Sequence, residues 1–202
     1  MTIWDKRYAV DHYVYGTEPN EFLRHQIKYL TGSRVLCLGD GEGRNSVWLA
    51  EQGFEVTAVD ISSVGLAKGA ALARDQDVDV AFVEADIASY DLGRRAWDAV
   101  VSIFVPTAPS LRMVLHAKIA DALVAGGIYV VETYHPDQAE RNTGGGSDPT
   151  TMMTAEDLKR DFPDLEFLHL IETVRDVREG TFHTGLGSVV QAVIRRCPSS
   201  VR

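Results

Sequence analysis

The residues best placed to do chemistry lie in the run Val35-Leu-Cys-Leu-Gly-Asp-Gly-Glu-Gly-Arg-Asn45 and at Asp60, nineteen positions beyond Gly41. An apolar strand that feeds a glycine-rich turn and then a helix lets a ligand approach the main chain. Glycines permit close contact and positive φ, and the first turn of the helix offers N–H groups with no partner inside it. A carboxylate after the following strand can accept both hydroxyls of a ribose. Strand, turn, helix and spaced acid together predict a nucleoside-binding site, whereas a glycine turn alone predicts only a turn.

The elements around this run set the architecture. Apolar spacing predicts a helix over 21–30 and strands over 34–38, 54–59, 78–83, 97–104 and 128–133. Helices are expected over 45–52, from Ser62 or Ser63 to about 75, and over 111–124, the last stopped by Gly126-Gly127. Thr154-Ala-Glu-Asp157 reads as a capping box opening a short helix. Stretches 165–177 and 188–196 read as two long strands with no helix between them. Alternating strands and helices imply a parallel sheet covered on both faces. The expectation is an α/β fold with a doubly wound, mostly parallel, seven-stranded sheet ending in an antiparallel β-hairpin. One domain over 1–202 is expected, with 1–30 forming an N-terminal cap or lid and a helix, and 31–202 the Rossmann-like core. The aromatic start of the chain, with Trp4, Tyr8, Tyr13 and Tyr15, reads equally as a lid over the site or as a surface cluster.

Which nucleoside binds is a separate question. The dinucleotide fingerprint G-x-G-x-x-G fails, because Arg44 stands where its third glycine belongs. The pattern present is G-x-G-x-G. That motif after an apolar strand resembles motif I of class I S-adenosylmethionine-dependent methyltransferases, and the resemblance runs through almost the whole chain. It implies S-adenosylmethionine as cofactor. The implied cofactor-binding residues are Gly39, Asp40, Gly41, Glu42, Gly43 and Asn45 at the turn, then Asp60 with Ile61 for the ribose. Asp86 and Ile87 resemble the adenine bracket, and Ser102, Ile103 and Phe104 the strand end beneath the methionine part. Trp4-Asp5, Tyr15-Gly16, Gly41-Glu-Gly-Arg-Asn45 and the late His183 are most similar to the small stand-alone bacterial tellurite-resistance-type methyltransferases. The family usually has an acid at the position of Cys37, where a thiol cannot organise the methionine end. Asp40 could supply that carboxylate instead.

The same resemblance implies methyl transfer to a small-molecule acceptor, a thiol or a chalcogen compound. A sulfonium methyl is already activated, so a base is needed only for a protonated acceptor, and a thiol ionises near pH 8.5. His183 resembles a histidine that this family sets beside the acceptor. Thr184 follows it where the family often has Arg, which removes an anion-binding charge. Tyr134 and His135, after the fifth strand, are the other catalytic candidates. His25, His116 and Arg112 read as surface residues on helices, and the loop from Asn142 to Pro149 as a substrate lid. Two further readings stand beside this one: a non-catalytic S-adenosylmethionine-binding protein, and an NAD-dependent oxidoreductase.

Composition narrows the partners. The chain has 202 residues, 45% of them hydrophobic, and a formal net charge of −9. An acidic surface repels nucleic-acid phosphates and anionic membranes. Phe104-Val-Pro-Thr107 does not match the Asn/Asp-Pro-Pro-Tyr-like motif of nucleic-acid amine methylation. Two cysteines, Cys37 and Cys197, form neither a disulfide framework nor a metal motif. No apolar leader or membrane-length run appears. A cytoplasmic enzyme is expected, with no metal, nucleic-acid, membrane or obligate protein partner.

Overall fold

The computed structural model describes residues 1–141 and 143–197. Its centre is a seven-stranded sheet in the order β3-β2-β1-β4-β5-β7-β6. The strands are β1 (Arg34–Leu38), β2 (Glu55–Asp60), β3 (Val80–Glu84), β4 (Trp97–Ile103), β5 (Leu123–Tyr134), β6 (Glu166–Glu179) and β7 (His183–Arg195). The first five run parallel, and β7 pairs antiparallel with both β5 and β6. The helices are α1 (Ile3–Tyr8), α2 (Glu21–Gln26), α3 (Arg44–Glu51), α4 (Ser63–Asp75), α5 (Pro109–Ala122) and α6 (Ala155–Asp161). The strand order reverses between β1 and β4, so the carboxyl ends of these neighbours open a crevice where ligands of such sheets bind. Leu38, the last residue of β1, is level with Val59 on one side and Ser102 on the other.

The two-residue period of β1 divides the core. Leu36 and Leu38 pack on one face with Leu115 and Ile119 of α5 and Leu158 of α6. Val35 and Cys37 pack on the other with Phe22 and Leu23 of α2 and Leu49 of α3. Each fully buried Leu or Val contributes roughly 1.5–3 kcal/mol. Cys37 is thus a core residue, and burial pushes its thiol well above the ordinary range.

Several boundaries differ from the sequence reading. α5 ends at Ala122, and Gly126 and Gly127 lie inside β5 rather than after a helix. The pairing of β5 with β4 shifts register between Trp97 and Ala99, so the glycines occupy an irregular stretch of one strand. β7 begins at His183, five residues earlier than expected, because Glu179 pairs with His183 and extends the hairpin. α1 was not foreseen; its six residues start at a capping box between Thr2 and Asp5. His25 is exposed as expected, but Arg112 and His116 are buried. Arg112 donates to the carbonyl of Met152 at 3.0 Å, and His116 Nδ1 lies 2.8 Å from Asp161, fastening α5 to α6. Among the described residues no helix is long and apolar enough to cross a membrane.

Candidate functional site

The turn between β1 and α3 is tied to the end of β2. Gly39 donates its N–H to the Val59 carbonyl at 2.8 Å. Asp60 accepts the Gly41 N–H on Oδ2 and the Ser62 N–H on Oδ1, both at 2.8 Å. Each carboxylate oxygen therefore spends one lone pair on the main chain and keeps another for a ligand. Two of the glycines have reasons other than ligand approach. A Cβ on Gly41 would lie 2.6 Å from the Tyr8 hydroxyl, and one on Gly43 would lie 2.6 Å from the Cα of Gly69 in α4. Gly43 is a helix-packing position, and Tyr8 fills the space beside Gly41.

A cavity of about 980 Å³ opens above this turn, enough for a cofactor and a small second molecule. It runs along the carboxyl ends of the strands. On the β3 side its wall includes Asp60, Ile61, Asp86 and Ile87. Gly39, Asp40, Glu42 and Asn45 line it at the turn, with Tyr15 and Gly16 of the N-terminal segment. Ile103, Phe104, Tyr134 and His183 line the β5–β7 side. Four anticipated residues stand outside this wall: Gly41, Gly43, Ser102 and His135. Ser102 is buried one residue before the wall begins at Ile103, and His135 turns to Asp137 and Glu172, at 3.4 and 3.8 Å.

The N-terminal segment is strapped over the turn rather than lying loose on the surface. Glu42 accepts the N–H groups of Val14 and Tyr15 at 2.7 and 3.3 Å, and Lys68 pairs with its other oxygen at 2.6 Å. Asn45 accepts the Asn20 N–H at 2.9 Å. Asp5 of α1 accepts the Ser62 hydroxyl at 2.7 Å, and Thr181 donates to the Val14 carbonyl at 2.7 Å. Trp4, Arg7 and Tyr8 thereby join the cavity wall.

Beneath the strap lies a buried ion network that sequence reasoning missed. Glu132 of β5 accepts two bonds from Arg175, at 2.7 Å each, and one from Gln191 at 2.7 Å. Glu179 binds Arg175 at 2.7 Å and Arg44 at 2.5 Å, and Asn20 bridges the two glutamates. A glutamate within the apolar run of β5 was the available signal, since a buried charge demands a partner.

The β7 end is aromatic. His183 sits 4.5 Å from Tyr15, 4.9 Å from Phe104 and 5.4 Å from Tyr134, centroid to centroid. Burial, then the Arg44 charge, pushes the His183 imidazole down to about 3, so it is neutral at ordinary pH. Burial raises the Tyr134 phenol far above its usual range. Asp40, by contrast, is pushed up to about 6, mainly by burial, while the Ser46 hydroxyl at 2.5 Å opposes the shift. The glycine loop roofs this end: a Cβ on Gly144 would lie 2.5 Å from the Tyr134 hydroxyl and 3.0 Å from His183. Gln138, fully buried, holds that loop through Thr143 at 2.9 Å and the Gly144 carbonyl at 3.2 Å. Asn142, where the anticipated lid begins, lies outside the described residues.

The crevice, the acid-tied glycine turn and the strapped cavity fit a nucleoside cofactor with a long polar tail. Comparison with known proteins agrees. Residues 35–127 match the family model described as a methyltransferase domain. No curated protein matches the sequence. Among solved structures, the chain is similar to a protein from work on the conversion of a disulfide bond into a thioacetal group during echinomycin biosynthesis. That match has 17% identity and a TM-score of 0.77, covering 98% of this chain and 93% of the other. It is also similar to TehB from Haemophilus influenzae, with 19% identity and a TM-score of 0.73, covering 88% of this chain and 62% of that one. An S-adenosylmethionine-dependent methyltransferase from Methanosarcina mazei matches at 16% identity and a TM-score of 0.68, covering 90% and 100%. At these identities the structural likeness establishes the fold, that of class I methyltransferases. The matched domain covers β1 to the middle of β5, the part of the chain that carries the glycine turn and Asp60.

Proposed function

We propose that the chain is an S-adenosylmethionine-dependent methyltransferase that methylates a small thiol or chalcogen acceptor, seated among Tyr15, Phe104, Tyr134 and His183. The observation that carries the reading is the continuity of one cavity from Asp60 to that buried aromatic cluster. Asp60 would hold the ribose hydroxyls with its spare lone pairs, Asp86 and Ile87 would flank the adenine, and Asp40 would take the ammonium of the methionine end. When bound, the cofactor supplies a sulfonium methyl group.

The chain's own part is positioning and exclusion of water. Holding two reactants in line contributes about 7–11 kcal/mol to lowering a barrier. The strap and the glycine loop close the cavity from two sides. A neutral His183 with so low a basicity is a poor base for a thiol, so its role is to orient the acceptor through a ring nitrogen. A thiol supplies its own thiolate near pH 8.5. The similar protein from the echinomycin work belongs to the conversion of a disulfide bond into a thioacetal group, which supports a soft acceptor here. Methyl-labelled donor offered with small thiols, phenols, amines and chalcogen oxyanions tests the reading. Labelled product with thiols or chalcogen compounds is expected; label appearing only on amines or phenols would overturn the acceptor class.

A further inference from the structure

Tyr134 lines the cavity and is 5% exposed, yet its hydroxyl has no hydrogen-bond partner among the described residues. Burial, then the Glu179 and Glu132 charges, keeps the phenol protonated, so it has a proton to donate. Its ring stacks on Phe104 at 4.5 Å and meets His183 edge-on at 5.4 Å. Ring packing alone does not account for the residue: phenylalanine would make the same stack without a buried hydroxyl left unmade, which is costly. Bare main chain roofs that hydroxyl. A Cβ on Gly144 would come 2.5 Å from it, and one on Gly145 2.6 Å from the Cδ2 of the ring. The ionic groups behind this end belong to the buried network, where Glu132 and Glu179 are matched by Arg175 and Arg44. Thr184, also in the wall, gives its hydroxyl to the Gly180 carbonyl at 2.5 Å. A charged oxygen brought to Tyr134 would lose its water without gaining a counterion, whereas an uncharged oxygen needs only the donor.

We infer that Tyr134 sets acceptor specificity, its hydroxyl donating a hydrogen bond to an uncharged oxygen carried close to the acceptor sulfur. The acceptor class is then a hydroxyl- or carbonyl-bearing thiol, favoured over a plain alkyl thiol and over a charged oxyanion. This rests on the proposed function and names the substrate class of that site. The oxygen takes its place between the hydroxyl and the glycine loop, which shifts to admit it. Phe104 and His183 fix the ring, so the donor is presented with little entropy left to lose on binding.

The test compares the wild type with Tyr134→Phe, which keeps the ring and removes only the hydroxyl. The acceptors are 2-mercaptoethanol, propane-1-thiol, which has a methyl where the first has its hydroxyl, and 3-mercaptopropionate, whose oxygens are charged. Dividing each variant kcat/KM by the wild-type value cancels the differing acidity of the thiols. The loss for 2-mercaptoethanol should exceed that for propane-1-thiol about threefold to tenfold, the contribution of one uncharged hydrogen bond. The wild type should also favour 2-mercaptoethanol over 3-mercaptopropionate. The variant should melt at or above the wild-type temperature; a clearly lower melt gives the hydroxyl a structural partner and overturns the inference. Equal losses for the two uncharged thiols, or preference for 3-mercaptopropionate, overturn it while leaving the proposed function standing. So does an S-adenosylhomocysteine Kd weakened as much as kcat/KM, which puts the hydroxyl on the cofactor. A wild type that methylates only chalcogen oxyanions overturns the inference alone, and one that methylates neither class overturns both.

Discussion

Tyr15 and His183 face each other with ring centroids 4.5 Å apart, one from the strap over the glycine turn and the other from the first position of β7. This contact joins the two sides of the cavity and buries the imidazole. His183 is protonated only near pH 3 in the folded chain, against about 6.5 when unfolded. Turnover with a thiol should therefore show no inflection near pH 6.5, and should instead follow the ionisation of the thiol. His183→Ala should lower kcat about 10²-fold, equally for thiols of low and high pKa. Losses that grow with thiol pKa would restore the role of general base.

The same depressed basicity acts on stability. Between about pH 6.5 and 3 the unfolded chain binds a proton at His183 that the folded chain refuses, so stability falls as pH drops through that window. His183→Asn should flatten the acid side of the stability curve. Urea titrations at several pH values check this; an identical slope in both proteins would contradict the burial argument.

Asp40 gives the opposite dependence for binding. Burial holds its carboxyl neutral up to about pH 6, and only the ionised form attracts an ammonium. S-adenosylhomocysteine should bind more tightly as pH rises from 5 to 7, and Asp40→Asn should abolish most of that rise. A wild-type affinity that is flat across this range would remove Asp40 from the ammonium.

Gly144 lies against the aromatic cluster with φ +133, where a Cβ would meet Tyr134 and His183. Gly144→Val would meet both side chains and would hold a backbone conformation that branched residues resist. Acceptor kcat/KM should fall by about tenfold or more, with donor affinity unchanged. Equal loss of donor binding would mean that the loop covers the whole cavity rather than the acceptor end.

The parallel half of the fold was legible because strands buried on both faces read as continuous apolar runs, as Val35 to Leu38 do. The glycine turn and Asp60 were legible because their spacing is local to one strand–helix–strand unit. What escaped depends on partners distant in the chain. Arg112 and His116 look like surface residues until Met152 and Asp161 are brought against them. Glu132 and Glu179 make sense only with Arg175 and Arg44 beside them. The start of β7 was missed because His183 to Gly187 has no apolar run; its pairing with β6 supplies the strand. α1 has six residues, too few for a helical period to stand out.

On the proposed reading, Asp60 holds the ribose. Asp60→Asn keeps a carbonyl for one backbone N–H but gives up the charge and one acceptor. Each charge-assisted bond to a ribose hydroxyl contributes roughly 1.5–3 kcal/mol, so the Kd for S-adenosylhomocysteine should rise at least tenfold in calorimetry. The variant's thermal melt should show a folded protein. An unchanged Kd would sink the ribose assignment.

The central claim is that the cavity brings a donor methyl and a small soft nucleophile together. The direct measurement is a single-turnover reaction in which excess protein, loaded with methyl-labelled S-adenosylmethionine, is mixed with a panel of small thiols and followed by mass spectrometry. The account predicts S-adenosylhomocysteine and a labelled methyl thioether in equal amounts, with the yield lost in Asp60→Asn at limiting donor. Donor that binds tightly yet stays intact with every acceptor offered would contradict it, and would make the chain a cofactor-binding protein without transfer.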